Sequence, residues 1–344
     1  MTDRSFVEPS TEAERLTIGG RTTESHRLDD QSPETAEILR EVLDGLRSKP
    51  KSIHPKFLYD ERGSQLFDRI TKTPEYYPTR TELRILEQHG DDMGRLLGPR
   101  CLVVEPGAGS VQKIRSLLEH LDDPVAYMPV DISLAHLRKH AAELAADFPE
   151  LQILTVAADY TTEYELPRPA TNPLRRVVFF PGSTIGNFPY SEAVEFLEHL
   201  AQVAGPGGAL LLGADLVKDR DVLLRAYDDS EGVTAQFILN LLHRFNRELG
   251  ADFDSSGFQH LAIWNAASER IEIYLRVLRD QIVRLGGEEI RFEAGEKVLA
   301  EYSQKYTRTS FADMAADAGL RVERVWADER DWFSVQYLTR LADS

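Results

Sequence analysis

Residues 101–110 read Cys101-Leu102-Val103-Val104-Glu105-Pro106-Gly107-Ala108-Gly109-Ser110. The first five form an apolar run that ends in an acid, and two glycines follow where the run turns. A short apolar run bounded by glycine predicts a buried strand, and helix-spaced residues up to Leu121 predict a helix behind it. The unit then repeats. Residues 125–131 predict a second strand, again ending in an acid, Asp131. Ser133 can cap the next helix, where Leu134, Leu137, Ala141 and Leu144 form one stripe. Residues 151–157, 176–180 and 209–213 predict three more strands, with Asp159 just beyond the third. Apolar runs alternating with helices predict a parallel sheet covered on both faces. Right-handed crossovers make this an α/β, doubly wound fold, with its ligand at the carboxyl ends of the strands.

Outside this block the pattern changes. Ile38, Leu39, Val42, Leu43 and Leu46 recur at helical spacing over 34–47. A short helix is predicted at 65–71 and a longer one over 81–97. After Asp215 comes a long helix over 233–249, with Phe237, Ile238, Leu241, Leu242, Phe245 and Leu249 on one side. Strand-like stretches follow at 259–264, 270–278, 281–285 and 297–306. A helix over 309–319 and two strands, 322–326 and 333–341, close the chain, the strands as an antiparallel edge hairpin. Residues 1–30 show no periodicity and read as a mobile tail. Two domains are expected. Residues 31–81 and 216–305 form a discontinuous α+β unit that takes the substrate. Residues 82–215 and 306–344 form the Rossmann-like unit.

The chain has 344 residues, 42% of them hydrophobic, enough for a substantial core. Lys and Arg number 40 and Asp and Glu 57, a net charge of −17. Such a surface repels phosphate backbones and anionic lipid, so no nucleic-acid or membrane partner is expected. A single cysteine, Cys101, excludes an internal disulfide and a cysteine-based zinc site. No stretch approaches a membrane span, and residues 1–27 lack the apolar core of a secretory signal. A cytoplasmic monomer with a small-molecule substrate is expected.

The glycine loop lacks the third glycine of a dinucleotide fingerprint, since Gln112 stands there. The acid before it, Glu105, suits a ligand cation better than a phosphate. Asp131, 24 residues after Gly107, is placed to bind both hydroxyls of a ribose. Asp159 and Tyr160 end the third strand where a carboxylate and a ring could hold adenine. Acids, a ribose site and no phosphate cradle point to S-adenosylmethionine (SAM). Lys113, in the first turn after the loop, could reach the SAM carboxylate. Glycine turns and acids at strand ends also occur in any α/β fold.

Two motifs narrow the reading: Tyr76-Tyr77-Pro78-Thr79-Arg80, and Gly182-Ser183-Thr184-Ile185-Gly186-Asn187. Others are Lys56-Phe57-Leu58-Tyr59-Asp60-Glu61-Arg62-Gly63-Ser64, Asp215-Leu216-Val217-Lys218-Asp219 and Arg225-Ala226-Tyr227-Asp228-Asp229. A further one runs from Asn246 to Phe253. With these, the chain resembles the histidine-specific Nα-methyltransferases of ergothioneine biosynthesis, which convert L-histidine into the betaine hercynine. The likeness spans about residues 34–342, and fungal dimethylallyltryptophan N-methyltransferases are similar too. The resemblance implies a class I SAM-dependent methyltransferase. SAM would contact Gly107, Gly109, Lys113, Asp131, Asp159 and Tyr160. Histidine would contact Tyr76, Asn187 and Tyr227, with Tyr59, Glu301 and Ser303 around its imidazole and Tyr302 beside them. Tyr76 and Asn187 would act on the reacting amine. One departure is Ile273, where the family commonly has a Met near the imidazole.

Each of these residues also has a plainer use. Tyr76-Tyr77-Pro78 could be a packed turn, Gly186-Asn187 a turn that tolerates φ > 0, Tyr227 half-buried core and Glu301 a solvated strand residue. His136 and His140 have the spacing of a metal pair, but their helix covers the outside of the sheet, and no metal is expected. Weighed against the histidine reading are a related enzyme acting on another amino acid or a tryptophan derivative, an NAD-dependent oxidoreductase, and a non-catalytic SAM or amino-acid sensor.

Overall fold

The structure, a computed structural model, describes residues 15–18, 21–24, 35–109 and 111–341. The tail expected over residues 1–30 lies outside them, apart from strands β1 (Arg15–Ile18) and β2 (Arg21–Glu24), which pair antiparallel.

Three helices follow: α1 (Thr35–Arg47), α2 (Glu61–Ile70) and α3 (Tyr77–Leu97). Both α2 and α3 begin about four residues before the apolar spacing predicts, for local reasons. The Asp60 carboxylate accepts the Gly63 N–H at 2.7 Å and starts α2 as its N-cap. Pro78 sits in the first turn of α3, where its missing N–H costs nothing and its fixed φ suits the helix. Tyr76 therefore lies at the start of a helix, not in a free turn.

The predicted alternation comes next. It runs β3 (Cys101–Pro106), α4 (Val111–Leu118), β4 (Ala126–Asp131), α5 (Leu134–Asp147) and the short strands β5 (Gln152–Ile153) and β6 (Val156–Ala157). It continues with β7 (Arg175–Phe180), α6 (Tyr190–Ala204) and β8 (Ala209–Asp215). The third predicted strand is thus broken in two, and both halves pair in parallel with β4. Helices α7 (Arg220–Tyr227) and α8 (Val233–Leu249) lead to strands β9 (Phe258–Asn265), β10 (Arg270–Val277), β11 (Gln281–Leu285), β12 (Glu288–Phe292) and β13 (Lys297–Gln304). Helix α9 (Arg308–Asp317) and strands β14 (Leu320–Ala327) and β15 (Phe333–Arg340) complete the chain.

The main sheet has the order β14-β15-β8-β7-β3-β4-β5, with β6 also on β4. Strands β3 to β8 are parallel, and the last hairpin joins β8 antiparallel. The order reverses between β3 and β7, so a crevice opens beyond their carboxyl ends. Two apolar layers cover the sheet. Ile85, Leu117 and Phe179 belong to one, and Phe180, Leu197 and Phe311 to the other.

Strands β13, β10 and β9 form a separate antiparallel sheet, and β11 and β12 a hairpin. Their apolar residues join those of α1, α2 and α8 in one cluster that includes Leu46, Leu58, Phe237, Leu241, Ile271 and Phe292. The α8 stripe is buried as its spacing predicts, except Leu249, which is only partly covered. Strand β12 was not evident in the sequence, because its alternating Glu288-Glu289-Ile290-Arg291-Phe292 offers only two apolar residues to count.

A short 3-10 turn after β7, Thr184–Asn187, packs on the end of β13. A side-chain carbon on Gly186 would sit 2.8 Å from the Gln304 carbonyl oxygen and 3.1 Å from its nitrogen. Both neighbours are backbone and cannot swing aside. Gly186→Ala is therefore expected to cost about 1–3 kcal/mol of stability, as overpacking does, read as a lower urea midpoint. A wild-type midpoint would show that the turn and β13 do not pack this closely.

Candidate active site

The carboxyl ends of β3, β4, β6 and β7 bring Gly107, Gly109, Asp131, Asp159, Tyr160 and Gly182 to one side of a single cavity. Tyr59, Tyr76, Asn187, Tyr227, Ile273, Glu301 and Ser303 line the same cavity. Every expected site residue is there except Tyr302. A strand points alternate side chains to opposite faces, so Glu301 and Ser303 face the cavity and Tyr302 faces away. Its ring lies 3.9 Å from the Arg270 guanidinium instead. The expectation that Tyr302 contacts substrate is thereby corrected.

On the nucleotide side, Gly107 has φ +67°, and a side-chain carbon there would come within 3.1 Å of the Tyr160 ring. Glycine thus leaves bare backbone beside a ring and two carboxylates. Asp131 accepts the Ser133 N–H at 2.8 Å, which fixes its carboxylate at the end of β4. Asp159 accepts from the Thr161 hydroxyl at 2.6 Å and from its N–H at 3.0 Å. It also holds the Lys56 ammonium at 3.0 Å, and Lys56 pairs in turn with Glu41 at 2.8 Å. Burial pushes the Asp159 carboxyl up, but the Thr161 hydrogen bonds and the Lys56 charge outweigh it and leave it below the usual range. A backbone cradle, a ring and carboxyl acceptors for hydroxyls and an amino group are a set that suits a SAM nucleoside.

Lys113 is not a bare cation. Its ammonium lies 2.7 Å from Glu82, which also accepts the Gly182 N–H at 2.9 Å. Glu105 is nearly inaccessible and accepts the Tyr127 hydroxyl at 2.5 Å. Burial pushes its carboxyl up to about 8, against the pull of Tyr127 and Lys113. Burial thus works against the ready anion expected at the end of β3.

On the facing side, the Asn187 amide donates to Glu301 at 3.1 Å. The Tyr227 and Ser303 hydroxyls lie 2.6 Å apart. The Tyr76 ring meets the Tyr227 ring edge-on at 6.2 Å, and Tyr59 packs on Phe67 and Phe237. Burial is the largest influence on Tyr59, Tyr76 and Tyr227, and it drives their phenols well above the ordinary value, so they stay neutral donors. Burial also raises Glu301 to about 7, while Lys305 and Asn187 pull the other way.

Behind this wall lies a group that the sequence reading passed over. Asp215, at the end of β8, is fully buried and binds Lys305 at 2.7 Å, Lys218 at 2.6 Å and the Tyr77 hydroxyl at 2.8 Å. A signal for Lys305 was present: Glu301, Ser303 and Lys305 alternate and so share one face. Glu82 also left a trace, as an acid three and four residues before the apolar Ile85 and Leu86, on the buried stripe of α3. Cys101 is packing, its thiol pushed up by burial to about 11.

A family model described as "Histidine-specific methyltransferase, SAM-dependent" matches residues 38–340. The chain belongs to this family. A histidine N-alpha-methyltransferase of Mycolicibacterium smegmatis is 43% identical to it over 312 residues, 89% of this chain and 96% of the relative. One from Mycobacterium tuberculosis is 42% identical over 304 residues, 87% of this chain and 93% of the relative. A 4-dimethylallyltryptophan N-methyltransferase of Claviceps purpurea is 28% identical over 332 residues, 89% of this chain and 94% of the relative. Membership of a SAM-dependent methyltransferase family removes the NAD-dependent oxidoreductase from consideration.

The raised Glu301 carboxyl has a consequence for stability. An acid whose folded value lies above its unfolded one holds its proton more tightly when folded. Its contribution is fully present below about 4.5, the unperturbed value, and is lost as pH rises toward and past 7. Glu301→Gln keeps an acceptor for Asn187 without the charge. It is expected to stabilise the protein at pH 8 by on the order of 1–3 kcal/mol and to change nothing at pH 4. Urea midpoints at the two pH values check this, and equal midpoints at pH 8 would mean a solvated carboxylate.

Proposed function

We propose that this methyltransferase trimethylates the α-amine of L-histidine to hercynine, the first step of ergothioneine biosynthesis. The observation that carries the reading is the Asn187–Glu301–Ser303–Tyr227 constellation, facing the nucleotide side across one cavity. It combines donors and acceptors for an amino-acid main chain with a carboxyl and a hydroxyl for a polar ring.

Gly107, Gly109, Asp131, Asp159 and Tyr160 would hold SAM, with Lys113 near its carboxylate. When bound, SAM supplies a methyl group carried on a positively charged sulfur. The chain's own part is to bind, orient and exclude water. Holding two reactants in attack geometry removes an entropic barrier of up to about 7–11 kcal/mol. Asn187 donates one amide hydrogen to Glu301, which leaves its carbonyl and second hydrogen for the substrate amine and carboxylate. Tyr227 donates to the carboxylate. The α-amine must lose a proton before each methylation, and water can accept it. The Tyr76 ring guides the amine, and its face tolerates the growing positive charge.

Glu301 in its ionised form accepts the imidazole N–H. A site that hydrogen-bonds a polar ring rejects an analogue that leaves its groups unpaired, and this favours histidine over an amino acid whose ring has no N–H. Ile273 lines the cavity and keeps it apolar where the family commonly has Met.

Incubation with labelled SAM and a panel of amino acids is expected to add three methyl groups to histidine, detected by mass spectrometry. No methylation of any amino acid would overturn the reading, and methylation of a different one would correct the substrate. Glu301→Ala is expected to raise the KM for histidine at least tenfold and that for SAM less than twofold. Unchanged histidine kinetics would remove Glu301 from the site.

A further inference from the structure

We propose that Lys305, which does not line the cavity, is a positioning residue that sets the polarity of the cavity wall. It makes the Tyr227–Ser303 pair a donor of one hydroxyl hydrogen toward the substrate carboxylate. This deepens the functional reading above and rests on it.

An ammonium has three hydrogens and no acceptor. The Lys305 ammonium has three partners: Asp215 Oδ2 at 2.7 Å, the Tyr227 hydroxyl at 2.7 Å and the Ser303 hydroxyl at 2.6 Å. All three hydrogens are used, and each hydroxyl oxygen accepts one. The two oxygens also lie 2.6 Å apart, so one hydroxyl donates to the other. Of the two hydroxyl hydrogens, one is consumed between them. The other has no acceptor among the described residues, while both side chains line the cavity.

Charge points the same way. Lys305 places its ammonium directly behind the pair, 2.7 Å from the Tyr227 hydroxyl and 2.6 Å from that of Ser303. Lys305 is fully buried, so water does not screen it. A wall with one outward hydrogen and a cation behind it suits an anionic acceptor. A neutral carboxamide, or a group that must itself donate, gains less there. Without the ammonium, both hydroxyls could rotate and offer a lone pair as readily as a hydrogen.

Lys305→Met keeps the chain length and removes the ammonium. The readout is the Kd of L-histidine and of L-histidinamide, by calorimetry in the presence of S-adenosylhomocysteine. Wild-type protein is expected to prefer the acid. Lys305→Met is expected to lose at least tenfold of that preference, with the affinity for S-adenosylhomocysteine unchanged. Should the single variant not fold, Lys305→Leu, which likewise leaves Asp215 paired with Lys218, carries the same comparison. A variant that keeps the preference, or weakens both ligands equally, overturns the positioning role and leaves the functional reading intact. So does a wild-type protein without the preference. Wild-type protein that methylates histidine on no assay overturns the functional reading instead. The comparison is then made on whichever amino acid it does methylate, and if there is none both proposals fall.

Discussion

The Asp215 carboxylate is the constraint on which the two halves of the molecule depend. It stands at the end of β8 in the main sheet and binds Lys305 just after β13, Lys218 just before α7 and Tyr77 at the start of α3. Burial pushes this carboxyl up, but the two ammonium groups outweigh burial and hold it below the usual range. Removing Asp215 would leave two ammonium groups without their shared carboxylate in a dry interior, a far larger penalty than losing a surface pair. The segments that bring Tyr76, Tyr227 and Ser303 to the cavity are thus tied to one point in the sheet. Each reaches the cavity within two residues of an atom in that group, or belongs to a residue that touches it.

The same arrangement divides the cavity electrostatically. At one wall the Lys305 ammonium stands behind the Tyr227 and Ser303 hydroxyls. The carboxyl groups around the cavity are in two different states. Asp159 is kept ionised by Thr161 and Lys56, while burial holds Glu105 and Glu301 toward neutrality. A net charge of −17 therefore says little about the potential inside the site. What matters there is which acids have a cation or an N–H within hydrogen-bonding distance and which do not.

Much of the fold could be read from the chain. Buried parallel strands must be short continuous apolar runs, so the sheet strands from Cys101 to Asp215 stand out. The α8 stripe announces its buried face by spacing alone. Asp131, Asp159 and the loop at Gly107 follow from strand ends, because a doubly wound sheet always gathers its ligand there. Tyr59, Tyr76, Asn187, Tyr227 and Glu301 were legible through motif resemblance, not through any local pattern. Their chemistry is not visible in the plainer roles a turn, a helix or a strand would give them. Tyr302 shows the limit of a motif, since it is contiguous with Glu301 and Ser303 but sits on the opposite face of the strand.

By itself, then, the sequence determined the order of strands and helices, the nucleotide side of the crevice and the family of chemistry. These depend on periodicity, on turn residues and on contiguous motifs, all of which are local. Only the tertiary structure decided the partners: Lys113 with Glu82, Lys56 with Asp159, and Lys305 with Asp215, Tyr227 and Ser303. Those contacts join residues 31 to 103 positions apart, Ser303 excepted, and their strength depends on burial that no local pattern records. Lys305, once enclosed by these partners, becomes the group that sets the direction of its neighbours' hydrogen bonds.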